Sequence, residues 1–179
     1  MPLLISVSGV RGTVGEEFNP GSMIPFLRSF IGVLERSPAG CDAPPRIVIG
    51  RDTRGSGDFM EKIAEGTLNA LGYDTVNIGV APTPTVLLAA RELGCRGGIA
   101  ITASHNPDPW NAFKFCTGEG LFLGPGDVQF LKEGVRAAGE DLPPWRPPHA
   151  LGTGTRREEA VMLHVKRVLE SLNTGAIRG

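Results

Sequence analysis

The feature that most constrains this fold is a set of short apolar runs rich in β-branched residues, at positions 3–7, 46–50, 75–80 and 98–102, separated by stretches of helical period. Each run is too short for a helix and apolar at consecutive positions. Both faces of such a strand must be covered, as in a parallel sheet with helices on either side. Between the runs, Met23, Leu27, Phe30, Ile31 and Leu34 follow Asn19-Pro20, and Met60, Ile63, Ala64, Leu68 and Leu71 end at Gly72. A third helical stretch, 86–93, ends at Gly94. Capping residues stand where helices start and glycines where they stop. The spacing predicts the order β-α-β-α-β-α-β, then a strand at 112–116 and a helix from about 127 to 138. The fold class is α/β: three layers, α/β/α, around a mostly parallel, mixed sheet, with loops gathered at the carboxyl ends of the strands.

Composition narrows the partners. The 179 residues carry a net charge of −1 with basic residues scattered, so neither nucleic acid nor an anionic membrane surface is expected. No apolar run approaches the ~20 residues that span a bilayer. The opening residues lack a basic start and a small-residue cleavage site, so the expected location is the cytoplasm. Cys41, Cys95 and Cys116 are odd in number, widely spaced and without a CxxC pair. That argues against a disulfide framework and a zinc site, and they read as fillers.

The texture changes at 139–156, where four prolines stand in two pairs without periodicity, as in a connector at a domain edge. Beyond it Val161, Val165, Val168, Leu169 and Leu172 form one apolar stripe of a helix. Either that stripe folds back on the first domain or it belongs to a second one, and left uncovered it would drive self-association. The expected division is a first domain over 1–139, a connector over 140–156 and the start of a second domain over 157–179.

In an open α/β sheet, ligands bind outside the carboxyl ends of the strands. "SGVRG" after the first run brings Ser8 and Arg11, "GRDTRGSG" after the second brings Arg51, Asp52 and Arg54, and "TASHNP" after the fourth brings Ser104, His105 and Asn106. Arg11 between glycines suits a phosphate contact, and equally a tight turn with a solvated arginine. Arg51 and Asp52 read as an ion pair that holds its loop. Ser104 has three readings. As a hydrolytic nucleophile it would need His105 as base, yet adjacent side chains at a strand end point to opposite faces and no GxSxG elbow surrounds it. As a phosphoryl carrier it would accept and return phosphate, with His105 and Asn106 as hydrogen-bonding neighbours and Lys114 as acid or base. As a turn residue it would cap the strand end ahead of Pro107.

Taken together, "SVSGVRGTVG", "VIGRDTRGSG", "GVAPTPTV" and "ITASHNPDPWNAFKF" resemble, in order, four motifs of the α-D-phosphohexomutases, and the resemblance covers nearly all of the first 140 residues. It implies the first of four domains, with Ser104 as the phosphoserine and Lys114 and His105 as candidates for proton transfer. Arg11, Ser8, Asn106 and Asn111 would contact phosphate or substrate. It further implies Mg2+ ligated by phosphorylated Ser104, a hexose bisphosphate activator, and phosphate moving between the C1 and C6 oxygens of a phosphorylated hexose. Ala112 stands where many members have glycine and Trp110 where many have tyrosine. No DGDxDR-like metal loop, GExSGH-like sugar loop or RxSGTEP-like phosphate loop is present, so the chain reads as the amino-terminal part of a mutase, inactive alone. Glucose, mannose and glucosamine phosphates all stay open. The alternative is a natural single-domain protein that binds sugar phosphate, or regulates, without turnover.

Overall fold

The computed structural model describes residues 2–36, 45–136 and 142–172; Cys41 and the expected helix end at 137–138 lie outside them. Seven strands form one sheet, built from β1 (Leu4–Ser6), β2 (Gly9–Thr13), β3 (Arg46–Arg51), β4 (Asp74–Val80), β5 (Gly97–Ile101), β6 (Trp110–Thr117) and β7 (Gly154–Arg156). Their spatial order is β1-β2-β6-β5-β3-β4-β7. Five α-helices among the described residues cover it: α1 (Pro20–Arg36), α2 (Gly57–Ala70), α3 (Thr83–Glu92), α4 (Pro125–Arg136) and α5 (Val161–Ser171).

The sheet has two halves. β5, β3, β4 and β7 are parallel neighbours, while β1, β2, β6 and β5 are joined antiparallel. Strand alternation divides the core. Ile47, Ile49, Ile99, Ile101, Phe113 and Phe115 face α1, α2 and α4, whereas Val48, Ala100 and Cys116 face the smaller layer that includes Val86, Ala89 and Ala90 of α3. Phe30 of α1 stacks on Phe115 at 4.5 Å between ring centroids. On β6 this leaves Lys114 on the face opposite the two phenylalanines, which is how the strand delivers it to the cleft described below.

The first run was expected to be a buried parallel strand; instead it is the edge of a hairpin, with Leu4 exposed. Only Val7 and Ser8 separate β1 from β2, far short of the dozen or more residues a parallel crossover needs. "SGVRG" is therefore mostly strand rather than loop. Likewise β6 follows β5 without a helix between them, and so it runs antiparallel.

The proline-rich stretch is pinned to the domain rather than free. Arg28 donates to the carbonyls of Leu142 and Pro143 and lies 4.8 Å from the Trp145 ring centre, and the N–H of Arg146 donates to Ala70. β7 then joins β4, with the Thr153 N–H and hydroxyl both on Asp74 Oδ1. Of the two fates expected for the stripe on α5, folding back on the first domain holds only in part. Ala160, Val161 and Leu163 pack against the α3 side, His164 Nδ1 meets the Thr85 hydroxyl at 2.7 Å and Arg167 pairs with Glu92. Met162, Val165, Val168, Leu169 and Leu172 stay exposed. Cys95 and Cys116 are buried free thiols, the latter pushed up to about 12 by burial, which keeps both protonated and unreactive. No helix among the described residues is long and apolar enough to cross a membrane.

Candidate active site

Ser104 sits in the turn between β5 and β6 with φ 57, the only described residue other than glycine at positive φ. A left-handed conformation costs an L-residue roughly 1–2 kcal/mol, so the surrounding structure holds this serine against its local preference. Such positions cluster where geometry matters for chemistry. Within the turn, the Ser104 N–H donates to Thr102 Oγ1 and the Asn106 N–H to the Ala103 carbonyl.

The expectation that Ser104 and His105 point to opposite faces does not hold. Both lie in the turn past the end of β5, and Ser104 Oγ is 3.4 Å from His105 Nδ1, at the long end of hydrogen bonding. Among the described residues, no carboxylate orients the His105 ring. The geometry thus offers a proton acceptor beside the serine without the third member of a hydrolytic triad.

Arg11 on β2 pairs with Ala112 on β6, and Lys114 lies two residues further along the same face, opposite Ala100 of β5. Small residues at 100 and 112 leave room for both long side chains. With Ser8, Ser104 and His105 they line one cleft. Arg11 donates to the side-chain oxygen of Asn106, tying the hairpin to the serine turn. No carboxylate forms an ion pair with Arg11 or Lys114 among the described residues. Burial, and then the neighbouring Arg11 charge, hold Lys114 below the usual lysine range, against a smaller pull upward from Asp52. Two cations without counter-ions among the described residues leave this cleft suited to an anion, and a lysine lowered in this way suits proton transfer.

This shift is checked by titrating isotope-labelled lysines by NMR: Lys114 is expected below the ordinary lysine value, and Lys62, raised by Asp58, above it. Replacing Arg11 by methionine moves Lys114 back upward. Between its lowered pKa and the ordinary one the native fold binds fewer protons than the unfolded chain, so Lys114 favours the fold more as pH rises through that window.

Two expectations are corrected. Arg51 and Asp52 do not pair with each other: Arg51 Nε lies 3.2 Å from Glu61 of α2, and Asp52 Oδ2 lies 3.3 Å from Arg54 Nε. Consecutive side chains leaving a strand diverge, and Asp52 closes a turn on the Arg54 N–H. Asn111 does not reach the cleft. It is fully buried, donating to Ser56 Oγ and accepting the N–H of Ala112.

Arg54 was read only as a member of its loop. Its guanidinium donates to the carbonyls of Ser104, Asn106, Pro107 and Trp110. Nothing in the local sequence signals this, because the partners are backbone atoms some 50 residues on.

The fold and site together are those of an α/β/α domain with a strained serine beside two cations at the carboxyl end of a sheet strand. Residues 3–141 match the family described as phosphoglucomutase/phosphomannomutase, alpha/beta/alpha domain I. The chain belongs to that family. It is 36% identical over 168 residues to a phosphoglucosamine mutase of Frankia casuarinae, covering 91% of this chain and 36% of that protein. A phosphoglucosamine/phosphogalactosamine mutase of Sulfurisphaera tokodaii is 38% identical over 121 residues, 68% of this chain and 25% of that protein. The fold matches a phosphoglucomutase/phosphomannomutase family structure from Burkholderia thailandensis with TM-score 0.71 at 23% identity, covering 94% of this chain and 37% of that one. The chain thus spans between a quarter and just over a third of the length of these relatives.

Proposed function

We propose that this chain is the amino-terminal part of a phosphohexomutase in which Ser104 carries the phosphoryl group. The observation that carries the reading is the cleft where a strained, exposed Ser104 faces Arg11 and Lys114, both without counter-ions among the described residues. Phosphoserine donates its phosphoryl group to the free hydroxyl of a hexose monophosphate, and Lys114 or His105 takes the hydroxyl proton. A bisphosphorylated sugar results. After it turns over in the site, its other phosphate passes to the Ser104 oxygen, the sugar hydroxyl regains a proton, and the net change is an isomerisation. Arg11 holds the phosphate that is not reacting. A hexose bisphosphate serves as activator by loading Ser104.

Mg2+ belongs to this reading with one oxygen from Ser104, but the described residues do not complete its shell. No group of three His, Cys, Asp or Glu side chains among them is placed to hold a metal, and Mg2+ takes octahedral oxygen ligands. The curated relatives named above act, by their names, on glucosamine or galactosamine phosphates, so amino-hexose phosphates are the first substrates to try, ahead of glucose and mannose phosphates. The remaining domains of the same protein would be its partners, and they would cover the exposed face of α5.

The test compares this chain with the protein extended to the length of its relatives, in a mutase assay with hexose bisphosphate and each sugar phosphate. The extended protein is expected to turn over and this chain alone is not. Hexose-phosphate binding without turnover in the extended protein would favour a sugar-phosphate-binding protein instead.

A further inference from the structure

We propose that Arg54 is the positioning residue of the active-serine turn, holding Ser104 in its left-handed conformation and fixing it relative to Lys114. Arg54 Nη2 donates to the carbonyls of Ser104 at 3.0 Å and Asn106 at 2.7 Å, and Nη1 to those of Pro107 at 3.0 Å and Trp110 at 3.1 Å. Nε lies against Asp52 Oδ2 at 3.3 Å. A guanidinium has five N–H groups in a rigid fork, and here four donate hydrogen bonds while the fifth lies in an ion pair with Asp52.

That saturation separates Arg54 from Arg11. Arg11 gives one N–H to Asn106 and faces the cleft, whereas Arg54 has none left for a ligand and its side chain is only 13% exposed. Its role is therefore on the turn rather than on the substrate. The turn's own hydrogen bonds are few: Ser104 N–H to Thr102 Oγ1, Asn106 N–H to Ala103 and Trp110 N–H to Pro107. Of the four carbonyls that Arg54 gathers they engage only that of Pro107, and an unpartnered carbonyl beside the cleft would repel an incoming phosphate. Gathering four of them on one cation disposes of that repulsion and opposes relaxation of Ser104 to negative φ. The Trp110 carbonyl belongs to the first residue of β6, so the same guanidinium ties the serine turn to the strand that carries Lys114. Asp52 anchors the fork from its other edge, accepting the Arg54 N–H at 3.0 Å as well. A lysine offers three donors from one point and cannot span these four oxygens.

The functional consequence rests on Ser104 being the phosphoryl carrier; the structural claim does not. It is tested on this chain, isotope-labelled for NMR, as wild type, Arg54→Ala and Arg54→Lys. Wild type is expected to show the Cα and Cβ shifts and HN–Hα coupling of positive φ at Ser104. Both variants should lose that signature, and the Asn106 N–H should exchange about tenfold faster or more, a loss of ~1.4 kcal/mol or more in local stability. The Phe113 and Phe115 ring signals should stay in place. Methylguanidinium should restore the signature in Arg54→Ala but not in Arg54→Lys, where the ammonium fills the gap, an effect that a merely structural loss would not give. If Arg54→Ala fails to fold, Arg54→Lys and Asp52→Asn decide, each expected to shift Ser104 in the same direction. A left-handed Ser104 with unchanged Asn106 exchange in the folded variants overturns the proposal. In the extended protein, Arg54→Lys is expected to lower kcat on the order of 10²-fold while KM moves less than about threefold. Wild type that keeps the left-handed Ser104 yet takes no phosphate from hexose bisphosphate would sink the phosphoryl-carrier reading and leave the role of Arg54 intact.

Discussion

Ser104→Ala in the extended protein is expected to lower the mutase rate by roughly 10⁵-fold or more, because the covalent route loses its acceptor atom. Stability should hardly change. Ser104 is exposed, and the one hydrogen bond of its side chain among the described residues is the 3.4 Å one with His105. Ser104→Gly sharpens the point. It also removes the hydroxyl, but glycine adopts positive φ freely, so the variant should be more stable than wild type by about 0.5–1 kcal/mol. Measured on this 179-residue chain, that raises Tm by roughly 1–4 °C. A dead enzyme that is also more stable would show that the strain is kept for chemistry. Thermal melts beside mutase assays of the two variants read both quantities. Equal loss of activity with a lower Tm in Ser104→Gly would mean that the turn is not strained in solution.

The second large effect is structural. Gly9→Ala is expected to cost about 4 kcal/mol or more, at the extreme of single substitutions. Gly9 has φ +121, and a Cβ there would lie 1.9 Å from the Phe113 carbonyl oxygen and 2.8 Å from Lys114 Cα. These are backbone atoms of β6 that cannot swing aside. The β1–β2 hairpin would have to leave β6, taking Ser8 and Arg11 out of the cleft. Gly15 supplies the control, since it too has positive φ, +89, but nothing within 4 Å. Gly15→Ala should therefore cost only about 1 kcal/mol, from backbone strain alone. Urea denaturation of both variants measures the gap, and equal losses would show that the approach of Gly9 to β6 is not tight.

The parallel half of the sheet was legible in the sequence because β3, β4 and β5 are apolar on both faces and α1, α2 and α3 carry their own start and stop residues. The antiparallel half was not. β2 reads Gly-Val-Arg-Gly-Thr, a pattern that its edge of the cleft demands and that no strand propensity reveals. β7 is Gly-Thr-Arg, with no apolar side chain to signal a strand, and only its backbone pairing with β4 defines it. At the site, Ser104, His105, Arg11 and Lys114 stood out because chemistry selects residue types, and types are what a sequence displays. Arg54 did not, because its partners are carbonyls, which every residue possesses. Asn111 misled for the converse reason: its type suits a sugar contact, but its position on β6 buries it against Ser56.

The central claim is that Ser104 carries phosphate through the reaction. The most direct measurement is to expose the extended protein to a radiolabelled hexose bisphosphate, map the label by peptide mass spectrometry, and chase it with unlabelled hexose monophosphate. The account predicts stoichiometric label on Ser104, none on His105, and passage of that label to the sugar as fast as turnover. Label on another residue, or turnover while Ser104 stays unlabelled, would contradict it.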